Sequence, residues 1–468
     1  MLLGAPKIQD ASLYTLRRKD LIGMIKQEHQ EVKNGAIVLI GAFENNRYRF
    51  RQESSFYYLT GITEPGAVAV IDLNGIATLY IPEHGDSRGA WVHTPVPLVQ
   101  ANAKTLGFDY IKPLGQMAPG YQFHPLSDKS HYSTMSADLL KIISAQGTLF
   151  TLLANNAHEY IEQRSMVARF DSFIPGFLNA CSNIADLVAL MRRKKDMREI
   201  EQLYKAVEIT ILAQGAAAQA ITDGATECEV QASLEYMFTG SCAQPAFPSI
   251  VASGKNATIL HYTSNAATLK NGQLVVVDIG AEVEYYCADI TRTYPVSGSF
   301  TKRQKELYNL VLETQNYIAN RAKPGMWLSN KEKPDHSLHH LAKKFLDERG
   351  YGKYFIHGIG HFLGLDVHDV GNVQEPLQDG DVFTIEPGIY IPEENIGIRI
   401  EDDYWMAKDG VICLSEALPK KAEDIETIMQ ESLEAALEQG SHEEDEDLFD
   451  EDELMDDESD DEITLAQS

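Results

Sequence analysis

The sequence predicts an α+β protein of two domains, an N-terminal α/β domain and a pseudo-symmetric α+β domain, with an acidic tail outside the fold. Three observations predict it. At 468 residues the chain is too long for one core. A helix-helix-strand-hairpin order occurs twice, around 203–293 and 303–405, with no visible sequence repeat. Residues 441–468 hold 15 acids and no Lys or Arg, a composition that cannot bury a core and predicts disorder. The expected domains are 1–178, 179–440 and the tail 441–468.

In chain order, Leu16, Leu21, Met24 and Ile25 recur at roughly helical spacing, and residues 35–41 read as a buried strand. Arg51-Gln-Glu-Ser-Ser-Phe56-Tyr-Tyr-Leu-Thr60-Gly-Ile-Thr-Glu-Pro65 follows, with Phe56 and Tyr58 expected in the core. Strands are expected at 66–72 and 76–82, and short strands and helices alternate over 103–178. The cluster Arg192-Arg-Lys-Lys195 reads as the charged start of a helix rather than a nucleic-acid patch. Helices are expected at 197–222 and 226–239, the second opened by the capping box Thr226-Glu-Cys-Glu229. Ile259-Leu-His261-Tyr262 reads as a strand with a lone histidine. Thr301-Lys-Arg-Gln304 opens a helix reaching 322, and another spans 335–349.

The chemistry concentrates in two places. The first is His357-Gly-Ile-Gly-His361-Phe-Leu-Gly-Leu-Asp-Val-His368, continuing through Glu386-Pro-Gly to Arg399-Ile-Glu401. Imidazole and carboxylate brought together among glycines and apolar residues suggest a metal. One His and two Glu are too few for a charge-balanced dinuclear site, so two more acids are expected elsewhere. The second place supplies them: a β-branched strand ends in Asp278, and a following strand carries Asp289. A turn centred on Val283-Glu284 makes Asp278 and Asp289 direct partners, and one centred on Glu393-Glu394 does the same for Glu386 and Glu401. Both pairs are then expected on one sheet face, clamping two divalent ions about 3.5–4 Å apart. Cys287 is expected as a packed thiol, and Gly358, Gly360 and Gly364 as points of close backbone approach.

On these residues the chain resembles the Xaa-Pro aminopeptidase and prolidase group of pita-bread metallopeptidases, over residues about 10 to 438. The resemblance implies an aminopeptidase P-like N-terminal domain and a creatinase/methionine aminopeptidase-like catalytic domain. It implies Asp278, Asp289, His361, Glu386 and Glu401 as metal ligands, with Asp289 and Glu401 bridging. Glu386 also moves the proton, His368 stands beside the oxyanion, and His357 lines the pocket beyond the cleaved bond. His261 is a substrate-side histidine, and Arg399 and Tyr390 position a carboxylate and relay protons. The implied reaction removes an N-terminal residue ahead of proline. Four carboxylates and one imidazole suit a hard or borderline ion, with Mn²⁺ expected, and two such ions would share a water and acidify it to hydroxide near neutral pH.

The resemblance further implies a homo-oligomer in which the N-terminal domain lends residues to a neighbour, with Trp91 and His93 as candidates. Spacings of 25 residues from His361 to Glu386 and 15 on to Glu401 leave little room for extra loops. They favour an aminopeptidase over a dipeptide-only prolidase. A binding protein of the same shape with an acidic tail is a reading of another class, and five intact ligands argue against it. The net charge of −29 argues against nucleic acid as a partner. No stretch approaches a membrane span, no signal peptide is evident, and five scattered cysteines favour free thiols in the cytoplasm.

Overall fold

The computed structural model describes residues 11–45, 47–85, 88–93, 96, 98–121, 128–153 and 161–446. The N-terminal strands are β1 (Gly35–Ile40), β2 (Val68–Asp72), β3 (Ala77–Ile81), β4 (Tyr110–Pro113), β5 (Thr148–Thr151) and β6 (Cys181–Asn183). They form one mixed sheet in the order β4-β3-β2-β1-β5-β6. β6 lies past residue 178, so this sheet runs beyond the boundary expected there. β1 is buried along its whole length because helices cover both faces. Ile37 and Leu39 pack with α1 (Ala11–Glu28) and α2 (Ser54–Thr60), where Phe56 and Tyr58 are buried as expected. Ala36 and Val38 point the other way, toward α4 (Ser133–Ser144) and α5 (Ile161–Phe173). The short helices α3 (Arg88–Trp91) and α6 (Phe177–Ala180) fill connections, and α7 (Ala185–Arg193) leads out of the domain.

The second domain repeats one plan. α8 (Met197–Ala220) and α9 (Glu227–Gly240) precede β7 (Gln244–Pro245), β8 (Ile250–Ser253), β9 (Leu274–Ile279), β10 (Ala281–Val283), β11 (Tyr286–Cys287) and β12 (Ile290–Pro295). α10 (Lys302–Ala319) and α11 (Leu338–Asp347) precede β13 (Val382–Ile385), β14 (Gly388–Ile391), β15 (Ile396–Arg399), β16 (Asp402–Ala407) and β17 (Gly410–Cys413). The capping boxes at Thr226 and Thr301 start α9 and α10 as expected, and Asp196 with Glu199 forms a third at α8. α12 (Ala422–Glu446) packs against α8 and β12, and residues 447–468 of the acidic segment lie outside the described residues.

Each half contains one long hairpin broken in the middle. β9 pairs with β12 and β10 with β11, and the break falls at Gly280 and at Ala288-Asp289. β13 pairs with β16 and β14 with β15, and that break falls at Glu386-Pro387 and Ile400-Glu401. The four acids were expected on one continuous sheet face. Instead Asp289, Glu386 and Glu401 sit in the breaks, and only Asp278 lies within a strand. Gly280 is needed at its break, because a Cβ there would meet Ala288 O at 1.7 Å.

The second hairpin keeps the expected register. Gly388 pairs with Arg399 and Ile385 with Asp402, so the ladder sets Glu386 opposite Glu401 across the break. The first does not. Asp278 pairs with Thr291 rather than Asp289, because the turn sits one residue later than expected. Glu284 and Tyr285 both take positive φ, +51° and +73°, as a two-residue primed turn requires. The unfavourable backbone at Tyr285 is offset by contacts with the first domain. Its ring stacks on Tyr57 at 3.9 Å, and its hydroxyl accepts from Gln52 N at 3.2 Å. The register slips by two residues rather than one, so Asp278 and Asp289 still share a face, now on the diagonal.

The basic cluster at 192–195 leads into α8 as expected, and most of it is also buried. Arg192, Arg193 and Lys195 are buried, and they clamp the loop that follows the His-rich stretch. Arg192 pairs with Asp366 and Asp369, Lys195 with Asp369 at 2.9 Å, and Arg193 with Glu375 and Asp381. Burial alone would raise the Asp369 pKa, but Lys195 and Arg192 outweigh it and hold it below the ordinary value. The 51–65 segment joins this network through Ser54 Oγ, which donates to Asp366 at 2.6 Å, and Ser55 Oγ, which accepts from Arg192 at 2.9 Å.

Candidate active site

The ten residues expected to bind metal or act in the reaction line one cavity of about 570 Å³: His261, Asp278, Asp289, His357, His361, His368, Glu386, Tyr390, Arg399 and Glu401. Asp289, His361 and Glu401 each place one ligand atom within 4.8 Å of the others. His361 Nε2 is 3.3 Å from Asp289 Oδ2 and 3.5 Å from Glu386 Oε1. Its Nδ1 lies 3.0 Å from Phe362 O, a pure acceptor, so Nδ1 carries a proton and Nε2 is the ring nitrogen that faces the carboxylates. Gly360 allows this placement, because a Cβ there would meet Thr384 O at 2.0 Å. Gly358 has no such neighbour, so the expected close approach holds at Gly360 and Gly364 but not at Gly358.

The donor set fits a multivalent cation. Asp278 Oδ1 and Asp289 Oδ1 are buried without a hydrogen-bond partner, which is costly unless a charge sits against them. Burial pushes the Asp289 and Glu401 carboxyls well above the ordinary range, and the neighbouring carboxylates push further. Burial also raises Glu386, against the pull of His361 and Arg399. Such crowding of acids is what a dication relieves.

Arg399 organises the remaining groups. It donates to Asp278 Oδ2 at 2.6 Å, to Thr291 Oγ1 at 3.0 Å and to Tyr390 Oη at 2.9 Å. Thr291 Oγ1 in turn donates to Glu401 Oε2 at 2.7 Å, so one guanidinium steadies a carboxylate from each hairpin. Because Tyr390 Oη accepts from Arg399, its own proton points to His357 Nε2, 3.0 Å away. His357 Nδ1 donates to Gly358 O at 2.8 Å, which makes the ring neutral. Burial and then Arg399 lower its pKa to about 3. Burial and the adjacent His361 lower His368 to about 4. The His361 and His368 rings lie 4.1 Å apart.

Comparison with known proteins supplies the family. Residues 201–408 match "Metallopeptidase family M24", and residues 14–122 match "Aminopeptidase P, N-terminal domain". A Haemophilus influenzae Xaa-Pro aminopeptidase is 32% identical over 438 residues, covering 85% of this chain and 93% of the relative. The chain belongs to the aminopeptidase P group of M24 metallopeptidases. A Pyrococcus furiosus Xaa-Pro dipeptidase is 34% identical over 359 residues, covering 76% of this chain and 88% of its own. Aminopeptidase P from Escherichia coli with the inhibitor Pro-Leu superposes with a TM-score of 0.76 at 27% identity, covering 92% of this chain and all of that one. The pita-bread architecture expected from the sequence is therefore present, and the chain is a metallopeptidase.

Within that frame several placements differ from expectation. His261 lies in a turn and is exposed, not on a strand. Cys287 is buried against Glu282 and Leu365 O and outside the cavity, the packed thiol expected. Trp91 lies on α3 and stacks on Tyr121 at 5.3 Å, and neither it nor His93 lines the cavity. Thr291, which links Arg399 to Glu401, escaped the sequence reading because a threonine in a β-branched strand carries no mark of function. Glu227 also escaped it. This buried carboxylate accepts from Ser253 N and Oγ, Asn256 Nδ2, Tyr262 Oη and Ala267 N, and so pins the loop that carries His261.

Proposed function

We propose that this chain is an Xaa-Pro aminopeptidase, hydrolysing the bond between an N-terminal residue and a following proline with two divalent ions. Asp278, Asp289, His361, Glu386 and Glu401 would hold them, with Asp289 and Glu401 bridging. The observation that carries this reading is the convergence of buried, unpartnered carboxylate oxygens with His361 Nε2 in a cavity that also holds three further histidines. When bound, the ions supply Lewis acidity and acidify the attacking water to hydroxide near neutral pH. Mn²⁺ is the proposed ion, from the oxygen-rich donor set. One solved relative is a zinc-substituted E. coli aminopeptidase P in complex with product.

The chain's own residues do the rest. Glu386, placed in the cavity within 3.5 Å of His361 Nε2, takes the proton from water and passes it to the leaving nitrogen. His368 stands at the cavity wall as the donor for the developing oxyanion. His357, held neutral by Tyr390 and Gly358, lines the side beyond the cleaved bond. Phe247, Pro248, Ile250, Leu260 and Val367 form an apolar wall suited to the proline ring. Two further proposals are that Trp91 and His93 reach a neighbouring subunit's site in a homo-oligomer, which rests on the family alone, and that the protein works in the cytoplasm, which rests on its cysteine pattern. No helix among the described residues is long and apolar enough to cross a membrane, and all five cysteines are free.

Prolidase is the second reading, and the cavity's charges bear on it. A dipeptidase recognises the carboxylate directly after proline, usually with a cation. Among the described residues lining the cavity, Arg399 is the one Lys or Arg, and it is occupied by Asp278, Thr291 and Tyr390. Tripeptides of the form Xaa-Pro-Yaa are therefore expected to be cleaved with at least about tenfold higher kcat/KM than Xaa-Pro dipeptides, roughly 1.4 kcal/mol. Steady-state kinetics on Ala-Pro-Ala and Ala-Pro checks this, and a preference for Ala-Pro would move the assignment to prolidase.

A further inference from the structure

Two buried glutamines occupy equivalent places in the two halves of the catalytic domain. Gln214 is on α8, the first helix of the first half, and Gln315 is on α10, the first helix of the second. Both are fully buried. Gln214 Nε2 donates to Val277 O at 3.2 Å and Ile290 O at 2.8 Å. Gln315 Nε2 donates to Ile385 O at 3.0 Å and Ile400 O at 3.3 Å. These four carbonyls belong to the residues next to Asp278, Asp289, Glu386 and Glu401. Each amide thus ties together both strands of its hairpin beside the carboxylates, Gln315 at the break itself and Gln214 between mid-strand Val277 and Ile290 at the edge of the break.

We infer that Gln214 and Gln315 are paired positioning residues that set the separation of the carboxylates within each half and thereby the affinity for the two metal ions. This rests on the five-ligand reading proposed above.

The breaks explain why such a residue is needed. Ile400 N donates to Pro387 O at a long 3.4 Å, and Pro387 has no N–H to return to Ile400 O. Gln315 supplies the donor that the ladder lacks. The orientation of its amide follows from chemistry: Lys420 Nζ, which can only donate, lies 3.0 Å from Gln315 Oε1, so Nε2 must face the carbonyls. Lys420 is itself fixed by Asp402 at 2.7 Å. In the first half Tyr294 Oη donates to Gln214 Oε1 at 3.0 Å, in the place Lys420 takes in the second. The two halves thus use the same device with different anchors. A ligand loses affinity when its supporting shell shifts, typically 10–100-fold when such a partner is lost.

The test is a calorimetric titration of Mn²⁺ into full-length apoprotein, with thermal melting of the same samples. Gln214→Met and Gln315→Met keep side-chain length and remove the donors. Each is expected to weaken Mn²⁺ binding at least tenfold and to lower kcat at saturating metal, with the KM for Ala-Pro-Ala little changed. Tyr294→Phe is gentler, because it removes only the hydroxyl that anchors Gln214. It is expected to weaken binding in the same direction, so the test survives if the Met variants do not fold. A role in folding alone would lower the melting temperature and leave Mn²⁺ affinity within twofold of wild type, and that result overturns the inference. Wild-type apoprotein that takes up no Mn²⁺ would instead remove the ligand reading on which the inference stands.

Discussion

Asp289→Asn and Glu401→Gln are each expected to abolish hydrolysis of Xaa-Pro peptides and to lower metal affinity by more than about a hundredfold, beyond the loss typical of a supporting residue. Both carboxylates face His361 within 4.8 Å, and both are proposed to bridge. An amide supplies neither the charge nor the second anionic oxygen that bridging needs. The same substitutions are expected to stabilise the metal-free protein. Each acid is buried among the other carboxylates, which holds its pKa well above the ordinary range and makes its charge unfavourable in the fold. Removing one charge relieves the others. Metal analysis paired with melting of the apoprotein checks both halves of this expectation. A variant that retains full metal and turnover would remove the bridging assignment, and a variant whose apoprotein melts well below wild type would contradict the electrostatic account.

The second large effect lies outside the cavity. Arg192→Ala is expected to destabilise the protein by about 2–3 kcal/mol, the cost of losing a buried charge-assisted hydrogen bond while Asp369 keeps its pairing with Lys195. Arg192 side-chain exposure is 2% and that of Asp369 is 1%, so water cannot replace the lost partner. Removal of Arg192 also deletes its bonds to Asp366 and Ser55, which help tie the first domain to the loop carrying His368. A fall in kcat is therefore expected alongside the loss of stability. Denaturant unfolding gives the free energy, and a change below about 1 kcal/mol would mean that the network is solvated, as surface pairs are.

The two hairpins show what a sequence carries and what it does not. The pairing of Glu386 with Glu401 was legible because Pro392-Glu393-Glu394-Asn395 is a compact loop whose left-handed Asn395 closes it locally. The first hairpin was misplaced by one residue at its turn. Glu284 and Tyr285 are poor turn residues by local preference, and the contacts that hold Tyr285 come from Tyr57 and Gln52, more than two hundred positions away. The residues proposed as ligands were legible because His, Asp and Glu among apolar residues are conspicuous. The groups that aim them were not: Thr291, Gln214 and Gln315 look like ordinary strand and helix residues, and only the fold brings them to the breaks. The basic cluster at 192–195 was visible as charge, but its burial depended on four acids between 366 and 381 folding back onto it.

The most direct test of the account is release of alanine from Ala-Pro-Ala by chelator-treated protein as Mn²⁺ is added back. The account predicts no release without metal and a rise in rate that saturates with two ions bound per chain. Undiminished hydrolysis by protein shown to hold no metal, or no hydrolysis with two ions bound, would contradict it.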